Sequence, residues 1–374
     1  MTTNKQTKTR TLGRREVLSG AALGGAAAAA AAFPTPAISQ DRMEWRMVTT
    51  WPKNFPGLGT GAELLAKLIG DMSGGRLTVT VYGAGEIVPP FEAIEAVSSG
   101  TVEMGHGTPY YWKGKVPAMA FLTSVPFGLT AQEQNAWLAY GGGQELADAC
   151  YAQVNCKFFA SGNTGVQMGG WFNKEINSIE DYKGLKMRLP GLAGEVVAAA
   201  GATVVNLPGG EIATAMASGS IDAVDWVGPY NDLAFGLYQN AKYYYYPGWQ
   251  EPSGMLDNFM NLDAWNALPD DLKAIVAAAN GAVNTQVLSE FIARNNESLR
   301  VLRDDHGVEV RPYPAEVLKE LAKLSAQVVE KLAAQDALST DLFESLKAFR
   351  KDAVGWAAYS EQAFLEARSA DPSW

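Results

Sequence analysis

Histidine and cysteine are scarce in this chain of 374 residues, which has only two of each. The histidines are His106 and His306, and the cysteines are Cys150 and Cys156. This scarcity argues against zinc sites and histidine-based triads, which take their ligands and bases from these residue types. Cys150 and Cys156 could pair across a short loop in an oxidising compartment or remain two buried thiols, and the sequence leaves both readings open.

Positive charge and long apolar runs are also in short supply. The chain has 30 Lys and Arg against 40 Asp and Glu, a formal net charge of -10. Residues 1–39 are themselves basic, so the rest of the chain is more acidic still and would repel nucleic acid. After the N-terminal segment, no run is long and apolar enough to span a membrane. We find neither a GxSxG elbow nor a GxGxxG loop after a strand, so two common catalytic and cofactor motifs are missing.

The N-terminal 39 residues read as a cleaved export signal. Paired arginines, Arg14 and Arg15, precede an alanine-rich run over 21–32, and a small-x-small site follows at 37–39. An alanine-rich run after two arginines is typical of a twin-arginine leader and predicts export to the periplasm. Gly13 and Val17 depart from the usual twin-arginine pattern, and the alternative is an uncleaved alanine-rich anchor.

The remaining chain alternates predicted strands and helices, which indicates an α/β fold with parallel sheets. Its length allows two domains with separate cores. The last third is mostly helical and ends in a long helix over 339–370. The predicted strands are 45–48, 76–82, 102–106, 185–189, 203–207, 221–227, 243–247 and 308–312. The predicted helices are 56–72, 91–99, 194–200, 211–218, 269–305, 314–335 and 339–370.

Arg188 is the first candidate binding residue. It lies near the end of a predicted strand, before Pro190, where its planar guanidinium could bond both oxygens of a carboxylate. The alternative is a surface salt bridge with Glu180 or Glu195.

Oxygen-bearing side chains near Arg188 in sequence suggest a metal ion beside the bound carboxylate. Asp225 interrupts an otherwise apolar strand face, so it needs a cation or an arginine as partner. Together with Glu251 and the amide oxygen of Gln167 it would form an all-oxygen set that suits Na⁺ or Ca²⁺. The alternatives are a solvated aspartate at a strand end and an ordinary loop glutamate.

Three stretches resemble the solute-binding subunit of tripartite ATP-independent periplasmic (TRAP) transporters. They are GLKMRLPG around Arg188, GGEIATAMASGSIDAVDWVGPYND, and YYYYPGWQEPSG around Glu251. The pair DWVGPY and PGWQEP is similar to the subgroup that binds 2-oxo and 2-hydroxy monocarboxylates with a metal ion. The resemblance implies that Arg188 binds the carboxylate and that Tyr110 and Asn163 bond its oxygens, with Tyr111 a competitor for the tyrosine role. It also implies that the cation is held by Gln167, Asp225, the backbone carbonyl of Trp226, and Glu251.

The same resemblance implies two α/β lobes that close about a hinge, and a pyruvate-like 2-oxo acid delivered to membrane permease subunits. Lobe I is expected over 41–163 plus about 252–295, and lobe II over 164–251 plus about 296–340. The helix over 341–370 is expected to swap between partners in a homodimer. Phe172 or Met168 could set the pocket size. The competing functions are a secreted enzyme acting on small carboxylates and a binding protein for another importer or a sensor.

Overall fold

The structure of the chain, a computed structural model, describes residues 1–2 and 42–370. The predicted export signal over 1–39 therefore lies outside the described residues apart from Met1 and Thr2. Within the described ranges, no helix combines the length and the apolar character that a membrane span requires.

Strands and helices alternate as the sequence predicts, and the α/β class is confirmed. The strands are β1 (Met43–Thr49), β2 (Leu77–Tyr82), β3 (Met104–Gly107), β4 (Cys156–Asn163), β5 (Gly170–Phe172), β6 (Lys186–Arg188), β7 (Thr203–Val205), β8 (Ala223–Val224), β9 (Tyr243–Tyr246), β10 (Met255–Asn261) and β11 (Glu309–Pro312). The α-helices are α1 (Gly59–Met72), α2 (Ala93–Ser98), α3 (Ala120–Thr123), α4 (Ala131–Tyr140), α5 (Gly143–Ala152), α6 (Gly191–Ala199), α7 (Gly209–Ala217), α8 (Pro229–Ala234), α9 (Leu262–Ala267), α10 (Asp270–Arg300), α11 (Ala315–Ala333), α12 (Ala337–Ala357) and α13 (Glu361–Ser369).

The strands form two sheets, and both are mixed, so the prediction of parallel sheets is wrong. The first sheet has the order β2-β1-β3-β10-β4, and the second has the order β11-β9-β5-β8-β6-β7. In the first sheet β10 is antiparallel to β3 and β4, and in the second β5 is antiparallel to β8 and β9. The sequence did not predict β4, β5 or β10. All seven residues of β10 are buried, and because both its faces are covered its letters do not alternate.

The remaining strand pairs are parallel, so several strands end at the same edge of each sheet. Strand β1 runs parallel to β3, and β6 runs parallel to β8. Ligands of open α/β sheets bind beyond the carboxyl ends of the strands. We therefore expect a binding cleft at the segments that follow β1, β3, β6 and β8.

Helix α10 shows how the apolar pattern fixes the core. Its buried apolar side chains recur every three or four residues from Leu272 to Phe291, which places them on one face. That face packs against β4, α1 and α8, and so covers the first sheet. The apolar residues on it are Leu272, Val276, Ala279, Val283, Val287 and Phe291.

The predicted helix over 339–370 is interrupted, and its second half is exposed. Helix α12 ends at Ala357 and α13 begins at Glu361, after Ser360 departs from helical geometry (φ -118°, ψ -103°). The buried residues of α12 lie in its first half, up to Leu346. Beyond them, large apolar side chains are exposed: Trp356 (70%), Tyr359 (86%), Phe364 (62%) and Leu365 (46%).

Candidate functional site

Arg188 is a buried cation without an acidic partner. Its side chain is 1% exposed at the end of β6. The guanidinium donates from Nε to the carbonyl of Leu207 (3.1 Å), from Nη1 to the carbonyl of Asp225 (2.6 Å), and from Nη2 to the hydroxyl of Tyr111 (3.4 Å). In the part of the chain that the structure describes, no carboxylate oxygen lies within 4.0 Å of it. A buried guanidinium with no carboxylate in direct contact is suited to bind an anion, although Asp225 and Glu251 lie close enough for its charge to affect their pKa values.

The surface salt bridge considered for Arg188 does not form. Glu180 pairs with Lys183, and Glu195 pairs with Lys113 at 2.7 Å. Both acids lie at the surface, whereas Arg188 points inward beside the ring of Trp226, with Cζ 5.1 Å from the ring centroid. The local sequence could not distinguish these cases, because strand alternation alone places Lys186 and Arg188 on one face, yet Lys186 is exposed.

Asp225 and Glu251, the two predicted acids, are both buried. Asp225 follows β8 directly, and its Oδ1 accepts a hydrogen bond from Gln250 Nε2 (2.9 Å). Glu251 Oε2 accepts one from Gln167 Nε2 (2.7 Å), and the backbone N–H of Gln167 donates to the carbonyl of Glu251 (3.0 Å). The side chains are 1% and 2% exposed, so neither carboxylate is solvated at its strand end or loop.

Burial dominates the ionisation of both acids. The pKa of Asp225 is raised to about 7, mainly by burial; Arg188 lowers it and Asp232 raises it. Burial followed by the repulsion of Asp225 raises the pKa of Glu251 well above its usual value, while Arg188 favours the ionised form. Two carboxyl groups thus share one buried region, and a bound cation would favour the ionised form of both.

Two buried oxygen atoms in this region have no hydrogen-bond partner among the described residues. They are Oε1 of Gln167 and Oδ2 of Asp225. With the carboxylate of Glu251 and the backbone carbonyl of Trp226, they supply the oxygen donors that Na⁺ or Ca²⁺ prefers. No group of three or more His, Cys, Asp or Glu that could hold a metal occurs in the described ranges. The donor set therefore fits a hard cation and not zinc.

Tyr110 and Tyr111 both reach the site, from the turn after β3. Tyr111 accepts the hydrogen bond from Arg188, and the hydroxyl of Tyr110 interacts with Glu251, whose ionised form it favours. Burial raises the pKa of both phenols, so they stay protonated and can donate. Tyr110 packs on Gly191, where a Cβ would lie 2.9 Å from the ring and φ is +68°.

Asn163 is buried but its polar atoms are engaged elsewhere. Its Nδ2 donates to Ser253 Oγ (2.8 Å) and to Gln134 Oε1 (3.4 Å), and its Oδ1 accepts from the N–H of Gly165 (2.9 Å). The neighbouring Thr164 lines the cavity, whereas Asn163 does not. Its predicted bond to the ligand stays a prediction.

The cavity at this site is small, about 20 Å³, and neither Arg188 nor Asp225 is among its lining residues. Sequence reasoning missed Trp51, Leu58 and Leu256 among its lining residues, and neither Phe172 nor Met168 lines it. Phe172 is a core residue instead, packed against Tyr182 and Tyr245. The lining residues are Trp51, Leu58, Thr108, Tyr110, Tyr111, Thr123, Thr164, Gln167, Trp226, Val227, Glu251, Gly254 and Leu256.

The chain matches a known family over most of its length. Residues 47–336 match the bacterial extracellular solute-binding protein family 7, DctP. The chain is 45% identical over 356 residues to the monocarboxylate 2-oxoacid-binding periplasmic protein of Nostoc sp., covering 94% of this chain and 97% of that protein.

Solved structures agree with this match. A TRAP periplasmic solute-binding protein from Pseudoalteromonas atlantica, with bound sodium and pyruvate, is 41% identical and superimposes with a TM-score of 0.84. One from Colwellia psychrerythraea, with bound calcium and pyruvate, is 40% identical with a TM-score of 0.85. Each covers 87% of this chain and 99% of its own. The two-lobed fold predicted from the sequence is therefore confirmed, and the chain belongs to the DctP family of TRAP-transporter solute-binding receptors.

Proposed function

We propose that this receptor captures a small 2-oxo monocarboxylate such as pyruvate, together with Na⁺ or Ca²⁺, in the periplasm. The observation that carries the proposal is the buried guanidinium of Arg188, which lacks an acidic partner among the described residues. The ligands crystallised with the Pseudoalteromonas and Colwellia proteins, pyruvate with sodium or calcium, support it.

The predicted site residues would have two roles: some would bind the anionic ligand and the others would bind the cation. Arg188 would bond the ligand carboxylate, with about 1.5–3 kcal/mol for each charge-assisted hydrogen bond. Tyr110, or Tyr111, and Asn163 would donate to its oxygens. Gln167, Asp225, the carbonyl of Trp226 and Glu251 would hold the cation, which neutralises the two acids and attracts the anionic ligand. In a site closed to water, each of these interactions is stronger than in solution.

We further propose that the protein binds its ligand without turning it over. Among the described residues, His106 and the two cysteines are poorly suited to catalysis. His106 is buried, with one ring nitrogen bonded to Trp51 Nε1 and the other to the carbonyl of Ser161. Cys150 and Cys156 are free but buried, and burial raises the pKa of each thiol to about 12. A thiol with so high a pKa is a poor nucleophile at neutral pH.

Isothermal calorimetry with pyruvate in the presence of Ca²⁺ tests the binding role. Arg188→Ala should weaken binding more than about a hundredfold, since two charge-assisted bonds amount to about 3 kcal/mol. Arg311→Ala is the matched control, because Arg311 pairs with Glu175 and Glu309 away from the cavity. Unchanged pyruvate affinity in folded Arg188→Ala would refute the assignment.

Removal of the cation tests the second half of the proposal. Exhaustive chelation and desalting should weaken pyruvate binding, and added Ca²⁺ or Na⁺ should restore it. Equal pyruvate affinity with and without cations would refute the proposed role of the metal ion. Consumption of pyruvate by the pure protein would instead favour the secreted enzyme.

We also propose how this receptor is exported and which proteins it contacts. It would be exported, by the twin-arginine route if residues 1–39 act as predicted, and would deliver its ligand to the membrane subunits of the transporter. We propose a homodimer formed through α12 and α13, which expose Trp356 and Phe364 to solvent. The lobe boundaries given from the sequence remain part of this proposal.

A further inference from the structure

Gln250 is a buried side chain that holds one carboxylate oxygen of Asp225. It is 2% exposed, and its Nε2 lies between two oxygen atoms, the carbonyl oxygen of Met168 (2.6 Å) and Oδ1 of Asp225 (2.9 Å). Because a carbonyl and an ionised carboxylate can only accept hydrogen bonds, the amide nitrogen is the atom that faces them. Both N–H groups of this amide are therefore used, and one of them binds an acid of the proposed cation site.

The backbone on both sides of Gln250 is fixed. The carbonyl of Trp249 accepts a hydrogen bond from the N–H of Phe127 (2.8 Å), and the rings of these two residues stack with their centroids 5.7 Å apart. On the other side, the carbonyl of Glu251 accepts from the N–H of Gln167 (3.0 Å). The amide thus extends from an ordered segment, which limits the entropy lost when it holds the acid.

The backbone of Asp225 is held by Arg188, whereas its carboxylate is held by Gln250. The N–H of Asp225 donates to the carbonyl of Arg188 (3.0 Å), and the carbonyl of Asp225 accepts from Nη1 of the same arginine (2.6 Å). These bonds do not fix the side-chain torsions of Asp225. Its Oδ1 accepts from Gln250, and its Oδ2 has no hydrogen-bond partner in the described part of the chain. The bond from Gln250 therefore selects which oxygen is left free.

We propose that Gln250 is a positioning residue for the cation site, which bonds Oδ1 of Asp225 and so presents Oδ2 to the bound Na⁺ or Ca²⁺. This inference rests on the proposed function, which takes Asp225 as a ligand of the cation. A partner of this kind fixes a metal ligand in the orientation that coordination requires. Because the amide is neutral, it orients the carboxylate without competing with the cation for its charge.

Gln250→Met tests the proposal, since methionine has nearly the same length but no amide donor. Calorimetric titration of metal-free protein with Ca²⁺ should show binding about 10–100-fold weaker than in the wild type. The luminescence lifetime of bound Tb³⁺ in H₂O and D₂O, which counts the waters on the ion, gives a second measurement. If Asp225 turns away, a water replaces its oxygen, and the count should rise by about one.

A double-mutant cycle with Asp225→Ser shows whether Gln250 acts through Asp225. Because Asp225→Ser removes the carboxylate, adding Gln250→Met to it should cost little further Ca²⁺ affinity. If the affinity of the serine variants is too weak to measure, the Tb³⁺ water count of Gln250→Met decides.

Gln134→Met is the matched control, because Gln134 is also a buried glutamine that donates to backbone carbonyls, those of Leu122 and Thr123. Its other hydrogen-bond partners in the described ranges are Asn163 and Ser253, and neither is a proposed cation ligand. Gln134→Met should therefore lower stability and leave Ca²⁺ affinity and the Tb³⁺ water count unchanged.

A second substitution covers the case in which Gln250→Met does not fold. In Gln250→Asn the amide is kept but is too short to reach both the carbonyl of Met168 and Asp225. This variant should weaken Ca²⁺ binding and raise the water count in the same direction.

The outcomes separate this inference from the proposed function. A wild type that binds neither Ca²⁺ nor Na⁺, or full Ca²⁺ affinity in Asp225→Ser, refutes the proposed cation site. Wild-type affinity and water count in a folded Gln250 variant refute the inference alone, as do additive losses in the cycle or an equal loss in Gln134→Met. Weaker Ca²⁺ binding with an added water on the ion, confined to the Gln250 variants, supports it.

Discussion

Gly254 is in close contact with two side chains at the proposed cation site. A Cβ added there would lie 2.3 Å from Thr164 Oγ1 and 2.6 Å from Gln167 Nε2. We predict that Gly254→Ala displaces Gln167 and weakens Ca²⁺ binding by about 10–100-fold, as is typical when the support of a metal ligand is lost. Calorimetric titration of metal-free protein with Ca²⁺ measures this.

Gly281→Ala is the control for that change. Gly281 lies in α10 with no atom within 4 Å of an added Cβ, so alanine there should leave Ca²⁺ affinity unchanged and raise helix stability by up to about 1 kcal/mol. Normal Ca²⁺ affinity in Gly254→Ala would show that Gln167 does not need this space.

Single residues also show how much of the candidate site could be predicted from the sequence. Arg188, Asp225 and Glu251 stand out because each is a charged residue in an otherwise apolar strand or in a stretch that resembles a known family. Leu58 and Leu256 could not be recognised, since an apolar residue that lines a cavity carries the same letter as one in the core. Trp51 follows β1 at the carboxyl edge of a sheet, so the position of the strand end was the one signal that could have indicated it.

The turn between β8 and α8 depends on one buried carboxylate. Asp232 Oδ1 accepts from the N–H groups of Val227 and Gly228 (3.2 Å each), and Oδ2 accepts from Trp171 Nε1 (2.9 Å) and the hydroxyl of Tyr244 (2.6 Å). These bonds hold the segment that carries Asp225 and the carbonyl of Trp226. The turn is thereby held in one conformation.

We predict that Asp232→Ala costs at least about 3 kcal/mol of unfolding free energy, because several buried donors lose their acceptor. It should also weaken Ca²⁺ binding, whereas Asp232→Asn keeps an acceptor for the backbone pair and should lose less of both. Chemical denaturation and calorimetry measure the two effects.

Asp257→Ala controls for the loss of a buried aspartate. Asp257 accepts from the Tyr151 hydroxyl and from Trp112 Nε1 (3.2 Å), in the first sheet. Its loss should lower stability but leave Ca²⁺ affinity intact. Equal effects of the two alanine variants on Ca²⁺ affinity would contradict a positioning role for Asp232.

At the scale of elements, prediction succeeded where the pattern was local. Helices α1, α7 and α11 lie within a few residues of the predicted ranges because their apolar spacing is regular. Strand β10 was missed because its place between β3 and β4 is set by distant parts of the chain. The break near Ser360 was missed because no proline marks it, and the one glycine of the predicted range, Gly355, lies inside α12.

The whole molecule exposes an apolar segment at its C-terminal end. Trp356, Tyr359, Phe364 and Leu365 lie on α12, α13 and the turn between them, and contiguous exposed apolar groups of this kind usually contact another protein. We predict that the full-length protein is a dimer and that removal of residues 358–374 yields a folded monomer. Light scattering coupled to size exclusion measures the mass of each.

Ile292→Asp is the control for this prediction, since Ile292 is 68% exposed on α10, outside that segment. The aspartate should leave the dimer intact. A monomeric full-length protein, or a truncated protein that still dimerises, would contradict the proposed role of α12 and α13.

Two of the connections between the sheets run side by side. The segment after β4 and the segment before β10 are joined by backbone bonds from Gln167 N to the carbonyl of Glu251 and from Thr164 N to the carbonyl of Gly254, each 3.0 Å. An ion held by Gln167 and Glu251 would thus lie at the axis of any opening motion, where displacement is least. Arg188 and Tyr111, in contrast, approach each other from different sheets. We therefore expect the metal to bind the open receptor first and the organic acid to complete the closure.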